Sequence, residues 1–211
     1  MAKIITPSYE FLGEIDGMEM LKHIEKIART CYRSENLITP DGASAKKIVK
    51  MLIDHGHDAM IEHASVSVRF VSDVGFYKDL TRHRIASFAI ESTRWCNYHK
   101  DKFGKEIKVI APINIQEGTP EYDIWLDCMN QIETAYMKMA ELGCKPDQLR
   151  MLLPHSTAAE INITANLREW RHIFKIRTAP NVHPSIRQLL IPLLAEFKQK
   201  IPVVFDDINP E

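Results

Sequence analysis

The sequence contains no long hydrophobic run, no marked excess of charge and no signal-peptide pattern. No stretch approaches the roughly 18 apolar residues of a membrane-spanning helix, so we expect no membrane partner. The 27 Lys and Arg residues against 28 Asp and Glu residues leave a net charge of −1, which argues against nucleic acid as the main ligand. The first residues lack an apolar segment followed by a small-residue cleavage site, and this predicts a cytoplasmic protein.

Cysteine is sparse as well, and its spacing excludes two common uses. The four cysteines, Cys31, Cys96, Cys128 and Cys144, form neither a C-x-x-C motif nor the spacing of a metal site. Cys31 and Cys128 fall in apolar stripes of predicted helices. We therefore predict reduced thiols in or near the core.

The order of predicted elements indicates the fold class. No repeat or low-complexity tract divides the chain, so we expect a single domain over residues 1–211. Alternation predicts strands at KIITP, ASVSVRFV, residues 107–110 and AEINITAN. Helical spacing predicts helices over residues 17–33, 44–55 with Ser44 as N-cap, from 72 or 73 into the arginine cluster, 120–142, 167–177 and 186–197. Because no regular βαβ rhythm appears, we expect an α+β fold with a mixed or antiparallel sheet packed against several helices.

One segment, LTRHRIASFAIESTRW at residues 80–95, concentrates basic side chains. Arg82, His83 and Arg84 are consecutive, and because each helical step turns about 100° they cannot all face water. One interpretation is that one arginine pairs with a carboxylate and the other extends to solvent. The other is an anion site, in which guanidinium groups bind phosphates bidentately and Ser92, with its neighbours, adds hydroxyl and backbone donors.

Further arginines occur singly in apolar or neutral surroundings: Arg150, Arg168, Arg177 and Arg187. Each alone is explained by a side chain that extends to solvent, or, for Arg177, by a cation at the end of a helix. Together they predict a ligand with several phosphates and a polar heterocycle.

Five ordered segments carry a family resemblance. RHRIASFAIESTR resembles the signature of the flavin-dependent thymidylate synthases, which is RHR, a seven-residue spacer and Ser. HGHDAMIEH, LRMLLPHS, TANLREWRHIFKIR and HPSIRQLL are similar to further segments of that family, in the same order. The resemblance covers most of the chain and implies the family's fold.

The resemblance implies a methyltransferase that converts dUMP to dTMP with methylenetetrahydrofolate as carbon donor, and FAD recharged by NADPH as reductant. It implies a homotetramer with flavin sites shared between subunits. The implied FAD contacts are His57, Glu62, Arg82, His83, Arg84, Asn166, Arg168 and His172. The implied dUMP contacts are Asp79, Arg82, Glu91, Ser92, Thr93, Arg94, Arg150 and Arg177. Among these, Arg177 is the implied catalytic residue, which activates the uracil ring.

Some positions depart from the family pattern. Ala89 and Ile90 stand where the family often has Asn-Glu, His172 where Asn is common, and Asp79 where Gln or Glu is common. Asp58 replaces the Glu that often follows His57. These changes leave room for a related methyl or hydroxymethyl transfer to another pyrimidine nucleotide.

Two other functions remain open at this point. HGHDAMIEH contains His55, His57, Asp58, Glu62 and His63, which could bind a hydrolytic metal, but no H-E-x-x-H motif is present. His55 falls on the apolar face of its helix, so we expect a core histidine and no metal. A nucleic-acid-binding module could stack bases on Trp95 or Tyr98, but core packing is the simpler expectation for Trp95.

Overall fold

The structure, a computed structural model, describes residues 1–210 as a mixture of helices and short strands. The α-helices are α1 Gly17–Thr30, α2 Ala43–Asp54, α3 Val74–Leu80, α4 Pro120–Glu141, α5 Pro146–Leu149, α6 Leu167–Arg177 and α7 Pro184–Lys200. The strands are β1 Lys3–Ile4, β2 Ser8–Phe11, β3 Ser65–Ser72, β4 Ala86–Ile90, β5 Lys108–Val109 and β6 Ala159–Asn166. Short 3-10 helices include Asp58–His63 and Arg150–Leu152. The expected α+β class is confirmed.

The strands form two sheets. The larger has the order β2-β3-β6-β4, and in the smaller β1 pairs in parallel with β5. Burial alternates along β3 and β6 because successive side chains point to opposite faces of a sheet. The hydroxyls of Ser67 on β3 and Thr164 on β6 lie 2.7 Å apart and share a hydrogen bond. Both strands were predicted from this alternation.

The chain divides into two compact units, and neither is a continuous piece of sequence. The first unit comprises Met1–Ser8, Phe70–Arg82 and Phe88–Asn162. The second comprises Tyr9–Arg69, His83–Ser87 and Ile163–Glu211. Boundaries between the two units fall within strands β3, β4 and β6.

The first unit has a core built on the long helix α4. This helix begins where expected, because the Thr119 hydroxyl accepts a hydrogen bond from the Tyr122 amide and Pro120 occupies the first helical position. Tyr98 and Tyr136 belong to the same hydrophobic cluster, with ring centroids 5.9 Å apart. The buried Glu133 of α4 accepts a hydrogen bond from the Ile107 amide at 2.9 Å, which ties the helix to the start of β5.

The second unit has an aromatic core that fixes α6. Trp170 and Phe174 on α6 pack against Phe197 of α7 with ring centroids 5.1 Å apart in each case. Phe205, beyond α7, completes the cluster. The Trp170 indole also donates to the Val66 carbonyl of β3 at 3.0 Å. Because one face of α6 is fully buried in this way, the direction of its opposite face is set.

Several sequence-based expectations are wrong. Cys31 and Cys128 are exposed, although all four cysteines are free. His55 is exposed as well, because it is the C-cap of α2 rather than a residue of its apolar face. Trp95 is 83% exposed, so it does not belong to the core.

Helix boundaries also differ from the expectation: α1 ends at Thr30 rather than at residue 33, and α7 extends beyond the expected range at both ends. Gly42 (φ 75°) caps α2, whereas the Ser44 hydroxyl donates to Glu25 at 2.9 Å. Helix α3 ends at Leu80, before the arginine cluster. Within residues 1–210, no helix combines the length and apolar character that a bilayer crossing requires.

One ion pair holds the C-terminal segment to α6. The buried Arg171 guanidinium donates from two nitrogens to the two carboxylate oxygens of Asp207, at 2.6 and 2.7 Å, and also donates to the Val204 carbonyl. Hydrogen bonding to Arg171 lowers the pKa of Asp207 to about 2. Two parallel hydrogen bonds between a guanidinium and a carboxylate are stronger than hydrogen bonds between neutral groups.

We predict that Asp207→Asn lowers the free energy of unfolding at pH 7 by about 1–3 kcal/mol, because it leaves Arg171 without its anionic partner. The folded-state pKa of Asp207 is below the ordinary value of about 3.9, so the pair's contribution is present above about pH 5 and is lost as the pH falls. Denaturant titrations between pH 3 and 7 measure this. The neighbouring exposed Asp206→Asn is the control; equal effects of both variants would contradict the assignment.

Candidate functional site

The arginine cluster lies in the turn between α3 and β4. Helix α3 is capped at its start by Asp73, whose side chain accepts from the Phe76 amide at 2.8 Å. After the helix, His83 points inward and is 5% exposed, whereas Arg82 and Arg84 are exposed. A turn, rather than a helix, therefore separates the imidazole from the two guanidinium groups.

His83 is held through both ring nitrogens in the second unit. Its Nδ1 lies 3.2 Å from Glu169 Oε1, and its Nε2 accepts a hydrogen bond from Arg177 Nε at 3.1 Å. The ring of His172 lies edge-on, with centroids 5.5 Å apart. Glu169, His172 and Arg177 all belong to α6, so the helix fixed by the aromatic core supplies every partner named here.

A cavity of about 400 Å³ adjoins this group and contains half of the predicted FAD contacts. Those lining it are Glu62, Asn166, Arg168 and His172. Arg168 Nη1 donates to Glu62 Oε1 at 2.5 Å, which joins α6 to the 3-10 helix Asp58–His63. Burial raises the pKa of the Glu169 carboxyl at the edge of this cavity, and the charges of His172 and Arg168 oppose the rise.

The other predicted FAD contacts lie elsewhere. Among the residues that the structure describes, His57, Arg82, Arg84 and His83 are not part of the cavity lining. His57 is exposed, with its ring 6.0 Å from that of His55. The cavity is therefore lined by residues of the 3-10 helix before β3 and of α6, but not by Arg82, His83 or Arg84.

The predicted dUMP contacts Ser92, Thr93 and Arg94 form a turn after β4, in the first unit. The Ser92 carbonyl accepts from the amides of Trp95 and Cys96, at 3.0 and 2.8 Å. Within residues 1–210 the two hydroxyls and the Arg94 guanidinium make no side-chain hydrogen bond or ion pair. Asp79, also a predicted contact, is half-buried on α3.

Two groups of arginines differ in their partners. One group has carboxylate partners: Arg29 with Glu25, Arg69 with Glu10, Arg168 with Glu62 and Arg171 with Asp207. The other group is exposed and, in the part of the chain that the structure describes, has no carboxylate within 4 Å; its members among the predicted contacts are Arg82, Arg84, Arg94 and Arg150. The second group is concentrated in the segments that resemble nucleotide-binding motifs. The interpretation in which one arginine of the cluster simply pairs with a carboxylate therefore has no support at Arg82 or Arg84.

Glu91 is committed to the protein rather than open to a ligand. Its carboxylate accepts from the Tyr98 hydroxyl at 2.8 Å and from the Glu160 amide at 3.4 Å. Burial, followed by the charge of Glu91, raises the pKa of Tyr98. Glu91 thus fastens the two ends of the loop that carries Ser92 and Arg94, and its contact with dUMP stays a prediction.

One group of side chains has the geometry of a metal site. His83, Glu169 and His172 each bring a donor atom to within 4.8 Å of the others, the only such group among residues 1–210. Arg177 donates to the second nitrogen of the same imidazole and places a positive charge beside it, which opposes binding of a cation. The histidines of HGHDAMIEH form no such group in the described residues.

Sequence reasoning missed Glu169 and Lys175, which also line the cavity. A signal for Glu169 was present, because it precedes His172 by three residues, and residues at that spacing share a helix face. For Lys175, the same spacing from His172 gave the equivalent signal.

Comparisons with known proteins agree with the segments that carry the resemblance. The family model described as thymidylate synthase complementing protein matches residues 15–203. A flavin-dependent thymidylate synthase from Corynebacterium glutamicum is 26% identical, over 96% of this chain and 84% of that protein. One from Mycolicibacterium vanbaalenii is 28% identical over the same shares, and one from Geobacter sulfurreducens is 27% identical over 87% and 79%.

A solved structure has the same fold. The UMP/dUMP methylase PolB from Streptomyces cacaoi, bound with 5-Br dUMP, superposes with a TM-score of 0.75 and covers 97% of this chain and 95% of its own. The two sequences are 19% identical, so the likeness concerns the fold.

We predict that Tyr98→Phe lowers the free energy of unfolding by about 1–2 kcal/mol, because the Glu91 carboxylate loses a hydrogen bond while the buried ring is kept. Chemical denaturation at pH 7 measures the change. Tyr32→Phe, at a side chain that is 63% exposed, is the matched control and should change stability little. If Tyr98→Phe is as stable as the wild-type protein, Glu91 does not hold the loop.

Proposed function

Because the chain belongs to the thymidylate synthase complementing protein family, we infer that it is a flavin-dependent thymidylate synthase, which methylates dUMP to dTMP. The family model spans most of the chain, and the curated relatives that match are named for this activity. We further propose that the carbon comes from methylenetetrahydrofolate, that the flavin is FAD and that NADPH reduces it.

The observation that carries the nucleotide part of the proposal is the group of arginines without carboxylate partners. A guanidinium is always charged and has five N–H donors in a planar fork that matches a phosphate. Arg82, Arg94 and Arg150 of the first unit are exposed and unpaired within residues 1–210. We propose that they bind the dUMP phosphate together with the Ser92 and Thr93 hydroxyls.

The cavity beside α6 fits part of FAD. Its lining offers Arg168 and Lys175 as cations for phosphate, and Asn166 and His172 as polar groups for a heterocycle. At about 400 Å³ it is at the small end of ligand pockets, which span about 300–1,000 Å³, so it would hold one part of the cofactor. We propose that His57, Arg82, His83 and Arg84 contact the remainder.

Bound reduced flavin would supply the hydride that completes the methyl group. The protein's part is to orient the ligands and to stabilise charge. As the uracil ring is activated, negative charge develops on it, and Arg177 is a fixed cation that lowers the barrier at that point. We assign Ser92 to binding, because its hydroxyl has no hydrogen bond to a histidine or carboxylate in the described chain that could act as a general base.

A second candidate is a related flavin-dependent enzyme that acts on another pyrimidine nucleotide. Ala89 and Ile90 are exposed at the end of β4, so two apolar side chains stand where the family often presents Asn and Glu. PolB, which shares the fold, is a methylase of UMP as well as dUMP. Turnover of UMP and dUMP, compared in one assay, separates the two candidates.

We propose that the chain acts as a single domain in a homotetramer with shared active sites. The two compact units are interleaved in sequence, so neither corresponds to a separate segment. Trp95, Ile85 and Met151 are 83%, 72% and 80% exposed, and association between subunits would remove such apolar side chains from water. Light scattering measures the oligomeric state, and cell fractionation tests the expected cytoplasmic location.

We predict that the purified protein carries FAD, or takes it up when FAD is added, and that dUMP changes the visible flavin absorption. The reason is that flavin and nucleotide meet where the hydride is transferred. Absorption spectra before and after addition of dUMP, with CMP as the control nucleotide, measure this. A colourless protein that does not take up FAD would falsify the synthase assignment.

We predict that Arg177→Ala keeps FAD bound and lowers dUMP turnover by about 10²–10³, the effect expected when a group that stabilises developing charge is removed. Steady-state kinetics and the flavin spectrum measure the two properties separately. Arg69→Ala, which removes an arginine paired with Glu10 on the surface, is the control. Unchanged turnover in Arg177→Ala would remove Arg177 from the catalytic site.

A further inference from the structure

Glu169 is a buried carboxylate for which the proposed function has so far given no role. It lies in the first turn of α6, where its amide donates to the Asn166 side chain at 2.9 Å. Its own side chain is 7% exposed. A carboxylate this buried is costly unless polar partners compensate for lost hydration, so its position calls for a specific partner.

That partner is His83, and the arrangement fixes the protonation of the imidazole. Arg177 Nε is a donor only, so the His83 Nε2 that it contacts at 3.1 Å must present a lone pair. The proton of the neutral ring therefore sits on Nδ1, which faces Glu169 Oε1 at 3.2 Å. The hydrogen bonds run in one direction, from Arg177 to His83 to Glu169.

The chain of bonds is internal to the second unit and sits on a rigid support. Glu169 and Arg177 are both on α6, which Trp170 and Phe174 anchor in the aromatic core. His83 is 5% exposed. In such a poorly hydrated setting a hydrogen bond is strengthened, and an unpaired donor is correspondingly unfavourable.

We propose that Glu169 is a positioning residue of the active site: by accepting the Nδ1 proton of His83, it holds the imidazole in the tautomer that accepts from Arg177 and so orients that guanidinium. This inference rests on the proposed function, in which Arg177 acts on the uracil ring. Without an acceptor at position 169, the Nδ1–H becomes a buried donor with no acceptor at Glu169, so the tautomer that accepts from Arg177 loses the hydrogen bond that stabilises it. A proton on Nε2 would face the Arg177 N–H, donor against donor, and displace the guanidinium.

The first test compares two substitutions of the same residue in the flavin-loaded enzyme. Glu169→Leu removes the acceptor and should lower kcat by about 10²-fold, as expected for a misplaced catalytic group, with the KM for dUMP and FAD content little changed. Glu169→Gln keeps an oxygen acceptor, because Arg177 leaves only that orientation of the amide satisfied, and should stay within about 10-fold of wild type. Wild-type kcat in Glu169→Leu, or equal losses in both variants, would overturn the proposal.

A control and a reference keep this test separate from general effects. Glu133→Leu also removes a buried carboxylate, from α4 of the first unit, and should not lower kcat at temperatures where it is folded; a loss equal to that of Glu169→Leu would overturn the proposal. The wild-type enzyme is measured in the same assay. Failure of the wild type to methylate dUMP would reject the proposed function itself, whereas an active wild type with unaffected variants would reject only the role of Glu169.

A second test needs no variant to retain activity. Nitrogen-15 NMR of the histidine-labelled, FAD-loaded wild-type protein distinguishes the two neutral tautomers, and the His83 signal is assigned by its absence in His83→Gln. We expect the proton on Nδ1. A proton on Nε2, or on both nitrogens at pH 8, would overturn the proposal.

Discussion

The buried imidazole of His83 is the point on which the described site depends. Its two nitrogens face two charged groups of opposite sign, Glu169 and Arg177, and both belong to α6. A helix can hold such a pair only if its rotation about its own axis is fixed. Here the buried side chains of Trp170 and Phe174 provide that constraint, so hydrophobic packing in the second unit determines the geometry of polar groups on the same helix.

The ion pairs separate the arginines that stabilise the fold from those that we propose bind ligands. Arg171, on the buried side of α6, is fully used by Asp207 and the Val204 carbonyl and secures the C-terminal segment. Arg82, Arg84, Arg94 and Arg150 have no such carboxylate in the described chain. An exposed arginine gains little stability from an ion pair in water. Several arginines without a carboxylate partner, in motifs that resemble nucleotide-binding ones, keep all their guanidinium donors available to bind phosphate.

The periodicity of apolar residues predicted the helices and strands that bury one face in the core of this chain. Strand β6 and helix α6 were found at their observed bounds because each has one buried face. Strand β4 was not predicted, because most of its residues are exposed and no alternation marks it. The sequence also wrongly predicted burial for Trp95, Cys31 and Cys128. An apolar residue type indicates a tendency to be buried, but a single sequence does not show whether that residue is buried in the core of its own chain.

The sequence predicted several residues of the candidate site but not the hydrogen bonds between them. Motif spacing supplied His83 and Arg177, 94 residues apart, but only the fold shows that they share a hydrogen bond, and Glu169 was overlooked because a carboxylate on a helix is usually a solvated one. The indirect connection has a physical consequence. The imidazole of His83 lies between the Glu169 carboxylate and the Arg177 guanidinium, so it transmits orientation from one to the other and keeps these two charges apart. The proposed action of Arg177 on the uracil ring depends on that orientation.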